Sequence, residues 1–153
     1  MTGLVKDKVA IVTGGAKGLG YGISRCLAQA GAHLLITGRD GAAAETVAAD
    51  ITQSFGVRAV GMSADMGVKT EVEAMIERAV GEFGGLDILV NNASQLSPNV
   101  LLEQKTDEML QRTLEIGTWG SWWAMRAAFP HMKARGGGSI INFYSIDAQT
   151  GAW

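Results

Sequence analysis

The 153-residue sequence predicts an α/β protein built on a doubly wound parallel sheet, and three observations predict it. Apolar runs of strand length alternate with helix-length amphipathic segments along the whole chain. The strand candidates are short and almost continuously apolar, as strands covered on both faces must be. Glycine is abundant at 21 residues, about twice the usual ~7% share, which suits many tight turns between strands and helices. Right-handed crossovers between parallel strands then favour the doubly wound arrangement.

The elements follow in order. Val9–Thr13 is the first strand, with a helix from about Gly20 to Gly31 behind it. His33–Thr37 is the second strand, and the alanine-rich Gly41–Phe55 the second helix. Arg58–Ser63 forms the third strand. Lys69–Phe83 is a helix, because Val72, Met75, Ile76 and Ala79 fall on one face at helical spacing. Leu86–Asn91 is the fourth strand. The long segment Asp107–Arg135 reads as mostly helical, with Pro130 expected to bend or end it. Three glycines, Gly136 to Gly138, break the pattern before a fifth strand, Ser139–Tyr144. With no internal repeat, low-complexity tract or linker, residues 1–153 are expected to form one domain.

Composition removes several classes of function. The net charge of −2 and the lack of a basic run argue against a nucleic-acid or membrane-surface partner. No apolar run approaches the ~18 residues of a membrane-spanning helix. The stretch Met1–Lys8 lacks the apolar core of a signal peptide, so a cytoplasmic location is expected. The lone cysteine, Cys26, excludes an internal disulfide and is expected to be a buried structural thiol facing the sheet. His33 and His131 have no metal-ligand spacing, so no metal site and no catalytic histidine are predicted.

The chemistry concentrates where strands end. Thr13-Gly14-Gly15-Ala16-Lys17-Gly18-Leu19-Gly20 runs from the first strand into a helix. Glycines there permit a tight turn and let backbone N–H groups approach phosphate oxygens. The helix N-terminus adds partial positive charge, as a dinucleotide pyrophosphate requires. Asn91 and Asn92 fall at the carboxyl edge of the sheet, where ligands bind in open α/β folds. The end of the second strand approaches the adenosine ribose, where an acid would bind a free 2′-hydroxyl. This chain has Gly38 there, followed by Arg39, and places Lys17 in the glycine loop. Two cations converging on one region suit a 2′-phosphate, so NADP(H) is preferred and NAD(H) is the alternative. Asp40 is placed to neutralise Arg39 in part, and the two cations also read as plain solvated charges.

Thr13-Gly14-x-x-x-Gly18-x-Gly20, Asp65 after the third strand, Asn91-Asn92-Ala93, and Gly138-Ser139-Ile140-Ile141-Asn142-Phe143-Tyr144-Ser145 occur in that order. Together they resemble the classical branch of the short-chain dehydrogenase/reductase family across essentially the whole chain. The resemblance implies a Rossmann-like sheet of strand order 3-2-1-4-5. It also implies hydride transfer between NADP(H) and a small carbonyl or secondary-alcohol substrate, with reduction of an activated C=C bond as a variant. Gly14, Lys17, Gly18, Leu19, Gly20, Arg39, Asp65, Met66, Asn92 and Ala93 would hold the cofactor. Asn92 would also join the ends of strands 1 and 4. Ser145 would hold the substrate oxygen.

The sequence departs from the family pattern in three places. The Tyr-x-x-x-Lys pair that follows the serine in the family does not occur among the 153 residues, and Tyr144 occupies a different slot. The chain is therefore expected to be an incomplete piece of a longer enzyme, poorly soluble by itself. The alternatives are a non-catalytic nucleotide-binding module or an inactive fragment. Gly117 stands where many members carry an asparagine of a proton relay, and Ser94 replaces a glycine after Asn91-Asn92-Ala93. Trp119, Trp122 and Trp123 form a helical stripe that reads either as sheet packing or as the face of a homodimer or homotetramer.

Overall fold

The computed structural model describes residues 3–95 and 100–144. Five strands form one parallel sheet in the order β3-β2-β1-β4-β5. They are β1 (Val9–Thr13), β2 (His33–Gly38), β3 (Ala59–Ser63), β4 (Ile88–Asn91) and β5 (Ser139–Asn142). The helices are α1 (Gly18–Gln29), α2 (Gly41–Phe55), α3 (Lys69–Phe83), α4 (Asp107–Leu114) and α5 (Ser121–Ala134). A wide π-helical segment, Glu115–Gly120, joins α4 to α5. The predicted fold class and strand order are both present.

Strand alternation divides the core in two. Val9 and Ile11 of β1, Leu35 of β2 and Leu89 of β4 face one side, where Val72, Met75, Ile76 and Ala79 of α3 and Ala124, Ala128 and Met132 of α5 cover them. Ala10, Val12, Leu34, Ile36, Ile88 and Val90 face the other, packed with Ala28 of α1 and Ala44, Ala48 and Ile51 of α2. Every residue of β1 is buried, as a central strand covered on both faces requires. At about 1.5–3 kcal/mol per fully buried large aliphatic side chain, these two layers dominate the stability of the fold.

Where the structure departs from the sequence expectation, the causes are local. Cys26 is exposed, not buried. The buried stripe of α1 is Gly20, Ser24 and Ala28, spaced by four, and a residue two positions from Ser24 and Ala28 points away from that face. The first helix begins at Gly18 and ends at Gln29, and the third strand begins at Ala59. The fourth strand begins only at Ile88, and the fifth ends at Asn142, two residues before Tyr144. Pro130 does not end the last helix, which continues to Ala134. Pro130 and Arg126, whose carbonyl loses its partner, are both exposed, so water can satisfy the freed group. The tryptophans divide: Trp123 packs against the core, while Trp119 and Trp122 are half exposed. Among the described residues, no helix is long and apolar enough to cross a membrane.

The amino edge of the sheet is held by one buried carboxylate. Asp87 accepts from Lys8 Nζ at 3.2 Å, from the Val9 N–H at 2.9 Å and from Arg135 Nε at 3.0 Å, tying β1, β4 and the end of α5 together. Burial alone would raise its pKa, but the hydrogen bonds from Arg135, Val9 and Lys8 and the charge of Arg135 outweigh it and hold the carboxyl below its ordinary value. The stability it contributes is therefore present above the ordinary carboxylate pKa of ~3.9 and is lost as pH falls through the lower native value. Asp87→Ala should cost about 2 kcal/mol near neutral pH, because the Val9 N–H loses its partner while the two cations can still reach water. Urea unfolding at pH 7 and pH 3 checks this: the gap between variant and wild type should shrink in acid, and an unchanged gap contradicts it.

Candidate functional site

The candidate site lies at the opposite, carboxyl edge of the sheet. Thr13, the last residue of β1, is fully buried there. Its hydroxyl donates to Val90 O at 3.3 Å and accepts from the N–H groups of Asn92 at 3.0 Å and Ala93 at 2.9 Å. The Asn92 side chain returns the contact, donating through Nδ2 to Thr13 O at 2.8 Å and to Gly14 O at 3.4 Å. Asn92 thus joins the ends of β1 and β4, as the resemblance implies. Thr13 was legible only as the residue in front of the glycines; its role as the hub of this junction was not foreseen.

The glycine loop is shaped by the same junction. Gly14 has φ of +64°, a left-handed conformation open to glycine. At Gly20 a side chain would meet Asn92 Nδ2 at 2.6 Å and run into Gly14 O, so only glycine fits between loop and clamp. Ser24 Oγ, one turn along α1, donates to Gly20 O at 2.9 Å and Gly15 O at 3.3 Å and fastens the helix under the loop. The N-terminus of α1 has no side-chain cap and no acidic residue in its first turn. Its leading N–H groups are therefore available to an anion.

A cavity of about 860 Å³ opens over this edge. Gly14, Lys17, Gly18, Leu19, Gly20, Arg39, Asp65, Met66, Asn92 and Ala93 all line it, so the structure gathers every predicted cofactor residue around one space. Gly38 and Asp40 line it as well, but Asp40 is occupied in capping α2, accepting from Ala43 N at 3.0 Å. Arg39 is exposed and donates to Gln95 Oε1 at 3.3 Å. Ser94, Gly117, Ser121, Phe143 and Tyr144 are among the other residues of the wall. A side chain at Gly117 would meet no atom within 4 Å, so the position is open space. His33 and His131 lie elsewhere: His33 Nδ1 accepts from Arg58 N at 3.1 Å, and His131 Nε2 is 3.4 Å from Glu77.

Two polar features complete the wall. Asn91 is buried and donates through Nδ2 to Asn142 Oδ1 at 2.8 Å, linking β4 to β5, while its own Oδ1 has no donor among the described residues. Such an orphaned acceptor beside the cavity, the bare helix terminus and the glycine cradle fit a bound dinucleotide. Asp65 accepts from Gly67 N at 2.9 Å and is paired with Arg112 Nη2 of α4. Burial would raise the Asp65 carboxyl, but the Gly67 N–H and the Arg112 guanidinium outweigh it and lower its pKa. Arg112 was not foreseen, since no motif marks a partner 47 residues away. Ser145 lies outside the described residues. Phe143 and Tyr144, the two residues after β5, line the cavity. Among the described residues no group of three or more His, Cys, Asp or Glu could hold a metal.

Comparison with known proteins agrees with this geometry. A 12α-hydroxysteroid dehydrogenase from a Clostridium species is 31% identical over 149 residues, 94% of this chain and 57% of its own length. An uncharacterised oxidoreductase of Mycobacterium tuberculosis is 40% identical over 141 residues, 91% of this chain and 52% of its own. The chain thus spans little more than half the length of these relatives. The crystal structure of L-sorbose reductase from Gluconobacter frateurii, complexed with NADPH and L-sorbose, superposes with a TM-score of 0.94 at 34% identity, covering 100% of this chain and 58% of that one. The family model for short chain dehydrogenases matches residues 8–152, and the chain belongs to that family.

Proposed function

We propose that the protein is an NADP(H)-dependent oxidoreductase that interconverts a carbonyl and a secondary alcohol. The observation that carries the cofactor choice is the placement of Lys17 and Arg39 on one cavity, with Gly38 where an acid would reject a 2′-phosphate. The structural neighbour solved with NADPH supports it. Arg39 can meet a phosphate through two parallel N–H groups, and Lys17 adds a point charge from the loop.

The remaining residues take defined parts in this reading. The uncapped N-terminus of α1 and the backbone of Gly14–Gly20 bind the pyrophosphate. Asp65 and Met66 flank the adenine, and Asn92 and Ala93 keep the loop seated against β4. The Asn91–Asn142 link holds β5 in register, and Ser145, three residues further along the sequence, would hold the substrate oxygen as the family resemblance implies. When bound, NADPH would supply the hydride for carbonyl reduction, and negative charge would develop on the substrate oxygen. Ser145 would hold that developing negative charge. Gly117 leaves open the room that an amide side chain would take in this part of the wall.

Reduced-cofactor fluorescence with the 153-residue chain tests the proposal. NADPH should bind at least about tenfold tighter than NADH, the scale of one charge-assisted pair. Arg39→Asp should abolish that preference by setting a carboxylate against the phosphate. Equal affinities in the wild type, or tighter NADH, would reject the cofactor assignment. Gly20→Ala addresses the shared half of the site. Its added methyl would push the loop off Asn92 at a cost of about 1–3 kcal/mol, so both cofactors should weaken together. Weakening of one alone would contradict the pyrophosphate role of the loop.

A further inference from the structure

Resting on the NADP(H) reading of the cavity, we infer that Arg112 is a positioning residue that sets preference for a 2′-phosphorylated dinucleotide by neutralising Asp65. Only two carboxylates line the cavity among the described residues, Asp40 and Asp65. The first is committed to the N-terminus of α2. The second stands on the wall it shares with Arg39, near enough that the charge of Arg39 lowers its pKa. Left alone, Asp65 would draw on Arg39 and repel the polyanion Arg39 is there to receive.

Arg112 prevents this from outside the cavity. It reaches across from α4, pairs through Nη2 with Asp65 Oδ2, and lies 3.4 Å through Nη1 from Glu115 Oε2, which keeps its fork oriented. The Gly67 N–H takes Asp65 Oδ1 at 2.9 Å, so the carboxylate is held from both sides. The seat is tightly built, since a side chain at Gly67 would run into the Arg112 guanidinium. Arg112 is not among the residues that line the cavity, so it acts through Asp65. Arg39 keeps the neutral Gln95 amide as its side-chain hydrogen-bond partner among the described residues.

A purely structural Arg112 and an electrostatic one predict different things. Loss of a brace between α4 and the Asp65 turn would weaken NADPH and NADH alike. Loss of neutralisation weakens NADPH selectively, because NADH lacks the 2′-phosphate. NADPH and NADH affinities of the 153-residue chain should therefore be compared in Arg112→Gln, which keeps hydrogen bonds to Asp65 without the charge, and in Arg112→Lys, which keeps the charge. The NADPH-to-NADH affinity ratio should fall roughly three- to tenfold in Arg112→Gln, the effect of about one unit charge at a solvent-accessible site, and stay within about twofold in Arg112→Lys. Adding Asp65→Asn to Arg112→Gln should restore the ratio. If Arg112→Gln alone does not fold, as read by far-UV circular dichroism, the charge-neutral double variant carries the test: wild-type preference supports the inference, and lost preference overturns it. An equal weakening of both cofactors, or an unchanged ratio in Arg112→Gln, also overturns it. A wild-type chain without NADPH preference would instead sink the functional reading itself, so the two failures are distinguishable.

Discussion

Everything at the carboxyl edge depends on the junction between Thr13 and Asn92. A parallel sheet gives its strands no hairpin to fix their ends, and the β1–β4 ladder itself stops at Val12 and Val90, so the carboxyl ends of the two strands need a tie of their own. The Thr13 hydroxyl accepts from the first two N–H groups beyond β4, and the Asn92 amide donates to the last carbonyl of β1 and to the Gly14 carbonyl that follows it. Each side chain thereby satisfies the backbone of the other strand where the sheet stops, and leaves few buried polar groups unpaired. The glycine loop inherits its position from this contact. Gly20 presses against Asn92, so α1 can start only where the clamp allows, and its N-terminus is aimed into the cavity as a result.

The two edges of the sheet separate stability from binding. At the amino edge, Asp87 accepts from three donors; its effect is to hold β1, β4 and α5 together. At the carboxyl edge, among the described residues, the N-terminus of α1 has no side-chain cap and Asn91 Oδ1 has no donor. A fold that satisfied those groups internally would be more stable and would have nothing to offer a phosphate or a nicotinamide. The contrast makes the carboxyl edge the functional one without appeal to any relative.

Much of this was legible in the sequence, and the reasons are physical. The strand pattern and its burial follow from continuous apolar runs such as Val9–Val12, which only a doubly covered strand needs. The loop, Asn91-Asn92 and Arg39 were legible because close backbone approach and charge are written in residue type. What escaped needed three dimensions. The exposure of Cys26 turns on where α1 starts its buried stripe, a matter of one or two residues. The wide segment Glu115–Gly120 interrupts what the sequence shows as one continuous helix. The Asp65–Arg112 pair joins residues 47 apart through the packing of α4, and nothing local to either residue announces the other.

Charge balance inside the cavity ties these parts together. Among the described residues, four groups charged at neutral pH line it: Lys17, Arg39, Asp40 and Asp65. Counted naively they cancel, and the site would have no preference for an anion. The structure breaks that symmetry by committing each carboxylate elsewhere, Asp40 to the amide of Ala43 and Asp65 to Arg112 and the amide of Gly67. Neither cation is similarly spent, since Arg39 contacts only an uncharged amide and Lys17 forms no ion pair among the described residues. With the α1 terminus adding its partial positive charge, the uncommitted charges of the cavity favour an anion, although the chain as a whole is acidic. Net charge counted over the sequence conceals this, because what a ligand meets is the charge left over after the protein has paired its own.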